Sequence, residues 1–183
     1  MIETQLSVGE PIIFMKVGVH AREPLDEILV RKRKEILDEG FAMWGYGGNT
    51  CHPNRVREFA EGESGRVSLV MQEITSNHWE DQIRATGYSA DGGRSWLEVP
   101  AGINVLGSRY ALCLGEIEDA DFSLDLATTR VATGPSLGKP GNDYVRQRVD
   151  KACLRVSAPG GEEGVHISFV APLVPPYAVV LRD

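Results

Sequence analysis

Thirteen consecutive residues, 41–53, hold most of the groups in this chain that could do chemistry: Phe-Ala-Met-Trp-Gly-Tyr-Gly-Gly-Asn-Thr-Cys-His-Pro. Cys51 is the strongest nucleophile among them once its proton is removed. The imidazoles of His52 and His20 are the side chains suited to take that proton near neutral pH. Neighbouring residues seldom point the same way, so His20 or His166 is as good a base for Cys51 as His52 is. A helix expected over 53–60 would place Cys51 near a positive helix end, which favours a thiolate. The same letters also fit a buried thiol beside a hydrogen-bonding histidine, because free cysteine is among the most buried residue types.

The stretch also reads as a binding surface. Trp44 and Tyr46 offer flat faces, and Gly47 and Gly48 let the backbone approach a ligand closely. Asn49, His52 and Arg55 add polar contacts. Nucleobases and sugar rings both suit such a platform. A second glycine-rich loop, 134–142, carries Ser136 and Lys139. It lacks the P-loop spacing: three residues separate Gly134 from Gly138, and Pro140 follows Lys139 where a Ser or Thr is needed. A backbone nest for an anion, supported by Ser136 and Lys139, is what this loop still allows. Tyr144, Arg146, Arg148 and Lys151 follow and would form an anion-binding wall if they lie beside it. Ion pairing with the acidic stretch Glu116, Glu118, Asp119, Asp121 and Asp125 explains those cations equally well. No Cys-x-x-Cys, His-Glu-x-x-His or EF-hand pattern is present, so no metal site is expected.

These groups must be positioned by the elements around them. Residues 11–19 form a continuous apolar, β-branched run and predict a buried strand. Pro24 suits a helix start, Leu25, Ile28, Leu29, Ile36 and Leu37 recur at helical spacing, and Gly40 suits its end. The run Arg31-Lys32-Arg33-Lys34 in that helix predicts a solvated face balanced by neighbouring acids. Strands are expected over 41–46, 66–75 (half-buried, by alternation), 109–117, within 122–133, over 152–157, and as two closing strands at 165–170 and 177–181. Polar linkers are expected at 76–81 and 159–161. Residues 89–96, Ser-Ala-Asp-Gly-Gly-Arg-Ser-Trp, follow the pattern Ser-x-Asp-x-Gly-x-x-Trp. They resemble the Asp-box hairpin of sialidases and other β-propellers. The resemblance covers eight residues, and the chain has no second copy, so it implies a structural hairpin in which Asp91 folds back onto backbone N–H groups.

At 183 residues with 42% hydrophobic and 25% charged residues, the chain fits one globular domain, 1–183, able to bury its own core. A net charge of −7 disfavours extended nucleic acid and anionic membrane. Three scattered cysteines, no leader pattern and no spanning apolar run predict a cytoplasmic protein without a disulfide framework. The compatible partners are a small molecule or nucleotide and a second copy of the chain. Early helices followed by many strands predict an α+β fold, with a bent mixed or antiparallel sheet or partly open barrel and two or three helices mostly in the N-terminal third.

Three function classes follow. The first is a module holding a nucleotide or nucleobase-like group, by fold-level similarity to PUA-like and EVE-like domains. The second is a transferase or hydrolase using Cys51 or a carboxylate with a His base; the order of His20, helix, Gly40 and aromatic strand resembles an ADP-ribosyltransferase layout. The third is a non-catalytic interaction protein using the Trp44 loop and the turn at 172–176. No cofactor pattern selects among them.

Overall fold

The computed structural model describes residues 1–3, 6–76, 81–160 and 163–183. Within them run β1 (Pro11–Val17), α1 (Leu25–Glu39), β2 (Ala42–Tyr46), α2 (Pro53–Gly62), β3 (Ser68–Glu73), β4 (Gly87–Ser89), β5 (Leu97–Glu98), β6 (Tyr110–Leu114), β7 (Glu118–Leu124), β8 (Thr129–Val131), α3 (Gly141–Tyr144), β9 (Lys151–Val156) and β10 (Val165–Arg182). The fold is α+β, with a ten-stranded mixed sheet that does not close into a barrel. Its main path is β2-β6-β10-β3-β1-β9-β8, and β7 and the β4–β5 hairpin join through β10. The β1–β3 pair is parallel and the other named pairs are antiparallel. No helix of the described residues is long and apolar enough to cross a membrane. Of the two expected linkers, residues 77–80 and 161 lie outside the described residues.

Sheet faces explain the sequence runs. In β1, Ile13, Met15 and Val17 face the layer that holds α1 and α2, while Ile12 and Phe14 face an opposite layer with Phe122, Leu154 and Ile167. Both faces are covered, which is why the run is apolar throughout instead of alternating. The same covering corrects the half-buried reading of 66–75: Leu69, Val70 and Met71 are all fully buried. Around β2, β6 and the end of β10, a third cluster packs Met43, Ala111, Cys113 and Val179 against Ile103 and Val105.

The two expected closing strands are one. β10 runs for 18 residues, pairing β7 and β3 with its first half and β6 and β4 with its second. Prolines lack the N–H that a ladder needs, and the register against β6 shifts between Leu173 and Ala178, across Pro175 and Pro176. The ladder is interrupted there, but the chain keeps its direction.

The α1 helix follows Pro24 and ends at Gly40, whose left-handed backbone (φ 86°) sends its N–H to Ile36 O. Its inward stripe is Leu25, Ile28, Leu29, Lys32 and Glu35, whereas Leu37 is 85% exposed. A buried charged pair thus occupies the last two positions of an apolar stripe. Within the run expected to form a solvated face, Lys32 departs from it at 2% exposure, while Lys34 pairs with Asp38 on the surface.

Candidate functional site

A cleft of about 280 Å³ opens where the end of β1, the end of β2 and the buried side of α1 meet. Gly18 makes this possible just past β1. A β-carbon there would come within 2.5 Å of Ser76 Oγ and 2.6 Å of Ile74 O. The chain then reverses through His20–Glu23, with reciprocal backbone bonds His20 N–H to Glu23 O (3.1 Å) and Glu23 N–H to His20 O (2.9 Å). Ala21 and Arg22 take left-handed backbone (φ 48° and 65°) without being glycine, a strained arrangement that the flanking contacts must hold.

The turn fixes His20. Its Nε2 lies 2.9 Å from Ser108 Oγ and 3.2 Å from Leu106 O. The Ser108 hydroxyl already donates to Leu106 O at 2.9 Å. Both acceptors therefore need a proton on Nε2, so this nitrogen is assigned as a donor. Gly45 in β2 provides the room: a β-carbon there would collide with the Ser108 hydroxyl and reach within 3.0 Å of Val105 Cγ1.

One wall is aromatic. Trp44 and Tyr46 line the cleft, and at 6% and 3% exposure they are also core residues packed with Met15 and Ile28. The Tyr46 hydroxyl donates to Cys51 O at 2.5 Å, tying the glycine loop back onto β2. Gly47 and Gly48 continue the wall; Gly48 has φ 86°, and a β-carbon on it would sit 3.5 Å from Lys151 Nζ.

The other wall is cationic. Lys16, Arg31, Lys32, Arg148 and Lys151 line the cleft, against Glu23 and Asp150. Lys32 Nζ donates to Asn104 O at 2.8 Å and to Glu35 Oε1 at 3.2 Å. Glu35 in turn accepts the Asn104 N–H at 2.8 Å. Burial pulls the Lys32 pKa down to about 8; the Glu35 carboxylate opposes the fall and Arg31 adds to it. Arg31 pairs with Glu23. Lys151 Nζ lies 2.7 Å from Asp150 Oδ1 and 6.0 Å above the Tyr46 ring. Counting Glu35 behind Lys32, five cations face three carboxylates.

Set against known proteins, the chain matches no family model, no curated protein and no solved structure. The functional reading therefore stands on the site's own chemistry.

Of the residues singled out from the sequence, His20, Trp44, Tyr46, Gly47, Gly48, Arg148 and Lys151 line this cleft, and Cys51, His52, Asn49, Arg55, Ser136, Lys139, Tyr144 and Arg146 do not. His52 is the N-cap of α2, its Nδ1 accepting the Asn54 N–H at 3.2 Å, and its ring packs edge-on against Tyr110 at 5.3 Å. Burial and the nearby Arg57, Arg109 and Arg55 lower its pKa. Cys51 packs against the core cluster and neither it nor His52 lines the cleft that holds His20, so the three are not gathered in that cleft. Arg55, on α2, packs against Gly134 of the second glycine-rich loop, and neither residue lines the cleft. In the second loop the N–H groups of Leu137, Gly138 and Lys139 are spent on Gly134 O, Val131 O and Ser136 O. That leaves little of the expected nest. Among the described residues no group of three or more His, Cys, Asp or Glu side chains is placed to hold a metal.

Sequence reading did not single out Lys16, Lys32, Glu23, Asn104 or Asp150 as site residues. Two signals were visible: Lys16 interrupts an otherwise apolar strand, and Lys32 falls on the inward spacing of Leu25, Ile28 and Leu29.

Proposed function

We propose that this protein binds a small organic anion carrying a flat ring, with a mononucleotide as the best-fitting class. The observation that carries this reading is a net-cationic cleft in a protein of net charge −7. Cations gathered on one concave surface, against the overall charge, focus the field on an anion. The aromatic wall of Trp44 and Tyr46 beside Gly47 and Gly48 supplies the face for the ring. At about 280 Å³ the cleft sits at the small end of ligand pockets, roughly 300–1,000 Å³. That size favours one mononucleotide over a strand of nucleic acid. Lys32 remains cationic below about pH 8, and a bound phosphate would favour its charged form further.

The test is a calorimetric and thermal-shift panel of nucleoside, nucleoside monophosphate, inorganic phosphate and an aromatic carboxylate. The expected order places the monophosphate ahead of both of its fragments, with affinity falling as salt rises. Absence of binding across the panel, or a preference for the uncharged nucleoside, would sink the reading.

A further inference from the structure

Leu25, Ile28, Leu29 and Lys32 recur three and four residues apart on α1, so Lys32 occupies an apolar stripe that turns inward. A lysine in such a place normally carries its ammonium along its stem out to water. Lys32 stays in. It is 2% exposed, yet it lines the cleft together with Asn104, whose backbone carbonyl accepts its Nζ at 2.8 Å. Glu35 lies behind it. Glu35 Oε1 accepts from the Asn104 N–H at 2.8 Å and from Lys32 Nζ at 3.2 Å. Glu35 Oε2 is buried 3.1 Å from Nζ and has no hydrogen bond of its own. A buried carboxylate oxygen with unused lone pairs is uncommon and calls for a reason.

We propose that Lys32 condenses with the carbonyl of a flat, anionic aldehyde held in the cleft, forming an imine. The proposal rests on the anion-binding reading of the same cleft and names the reactive group of the ligand. An ammonium has three N–H donors and no lone pair. The neutral amine keeps two N–H groups, enough for Asn104 O and Glu35, and gains a lone pair that attacks the carbonyl carbon. The carbon–nitrogen bond forms and the carbon–oxygen bond breaks. The two nitrogen protons pass, by way of Glu35 Oε2, to the carbonyl oxygen, which departs as water. One amine and one aldehyde give one imine and one water, with no change of oxidation state.

The surroundings suit this step. Burial brings the Lys32 pKa down to about 8 against the opposing pull of Glu35, so near that pH a large share is free amine, whereas a lysine at 10.5 is almost wholly charged. Trp44 and Tyr46 offer flat faces for the ring. Arg31 is held by Glu23 and Lys151 by Asp150, but Lys16 and Arg148 have no ion pair among the described residues. Those two cations are left to meet the phosphate or carboxylate of the ligand. A single-ring phosphate is smaller than a mononucleotide and suits a cleft of about 280 Å³.

The experiment incubates the full chain near pH 8 with para-formylphenyl phosphate, reduces any imine with cyanoborohydride, and maps the peptides by mass spectrometry. The uncharged para-methoxybenzaldehyde is run beside it. One reduced adduct per chain is expected, on Lys32, half-saturating at a concentration roughly 10-fold lower for the phosphate than for the uncharged aldehyde. Excess nucleoside monophosphate is expected to suppress it. Lys32→Met/Glu35→Gln removes both members of the buried pair, and is expected to fold and give no adduct. Labelling on Lys16, Lys34, Lys139, Lys151 or the N-terminal amine in place of Lys32 would overturn the proposal, as would a double variant labelled as fully as wild type. Calorimetric binding of the monophosphate with Lys32 left unmodified by the aldehyde would overturn it while leaving the anion reading in place. Absence of both binding and adduct would remove the two together.

Discussion

Replacing Lys32 by Met removes an ammonium that is 2% exposed and leaves its partner Glu35, also 2% exposed, as a buried carboxylate. Glu35 would keep the Asn104 N–H at 2.8 Å, with Arg31 Nε at 3.8 Å as the nearest remaining cation. Deleting one member of a buried pair typically costs about 3–5 kcal/mol, because the survivor's charge stays desolvated. Removing both charges should cost far less. In Lys32→Met/Glu35→Gln the amide oxygen still accepts from Asn104, so the double variant is expected within about 1–2 kcal/mol of wild type. Urea denaturation followed by tryptophan fluorescence reads this directly, as a midpoint shift of about 1–2 M for the single variant. The pair also carries a pH signature. The folded-state pKa of Lys32 lies near 8, below the unfolded value of 10.5, so between them the unfolded chain binds more protons and stability rises with pH. The burial penalty is fully present below about pH 8 and is relieved as pH climbs toward 10.5. Lys32→Met should abolish that rise. A single variant costing under about 1 kcal/mol, or a double variant as unstable as the sum of its parts, would refute the reasoning.

Gly45→Ala drives a methyl into the Ser108 hydroxyl and to 3.0 Å from Val105 Cγ1. Overpacking of this kind costs about 1–3 kcal/mol, a fall of roughly 2–12 °C in Tm, and the His20 ring resonances should move with Ser108; an unchanged Tm and His20 spectrum would contradict the packing account. Asp91→Ala should unlock only the 89–96 hairpin. Its carboxylate is held well below the usual range first by the Ser95 hydroxyl (2.5 Å), then by the Ser95 N–H and the Ser89 hydroxyl. Protection of the Arg94 and Ser95 amides from hydrogen exchange, relative to their intrinsic rates, should therefore be full above the ordinary carboxylate range and fall as pH drops below it. Cleft binding should be untouched, and loss of binding in this variant would give Asp91 a role beyond the turn.

Much of the architecture was legible because it follows from local rules. The apolar run before Val17, the helix closed by Gly40 and the hairpin around Asp91 each have a mechanism that acts within a few residues. The misses came from tertiary partners. Nothing near Lys32 announces that Glu35 and Asn104 will enclose it, although its place on the Leu25, Ile28, Leu29 stripe was readable. The glycine loop was found through its composition, yet its two halves serve different places. Trp44 to Gly48 wall the cleft, while Cys51 packs against the core cluster and His52 caps the α2 N-terminus. Adjacent letters suggested a Cys-His pair; the left-handed backbone at Cys51 and the cap at His52 divide it.

The account rests most heavily on the cleft as an anion site. Calorimetric titration of a nucleoside monophosphate into wild type and Lys151→Met tests it most directly. Lys151 Nζ sits over Tyr46 and beside Gly48, and loss of a hydrogen bond to a charged group is worth about 1.5–3 kcal/mol. The variant is expected to bind roughly 10- to 100-fold more weakly while remaining folded. Equal affinity in the two proteins, or no binding to wild type, would contradict the account.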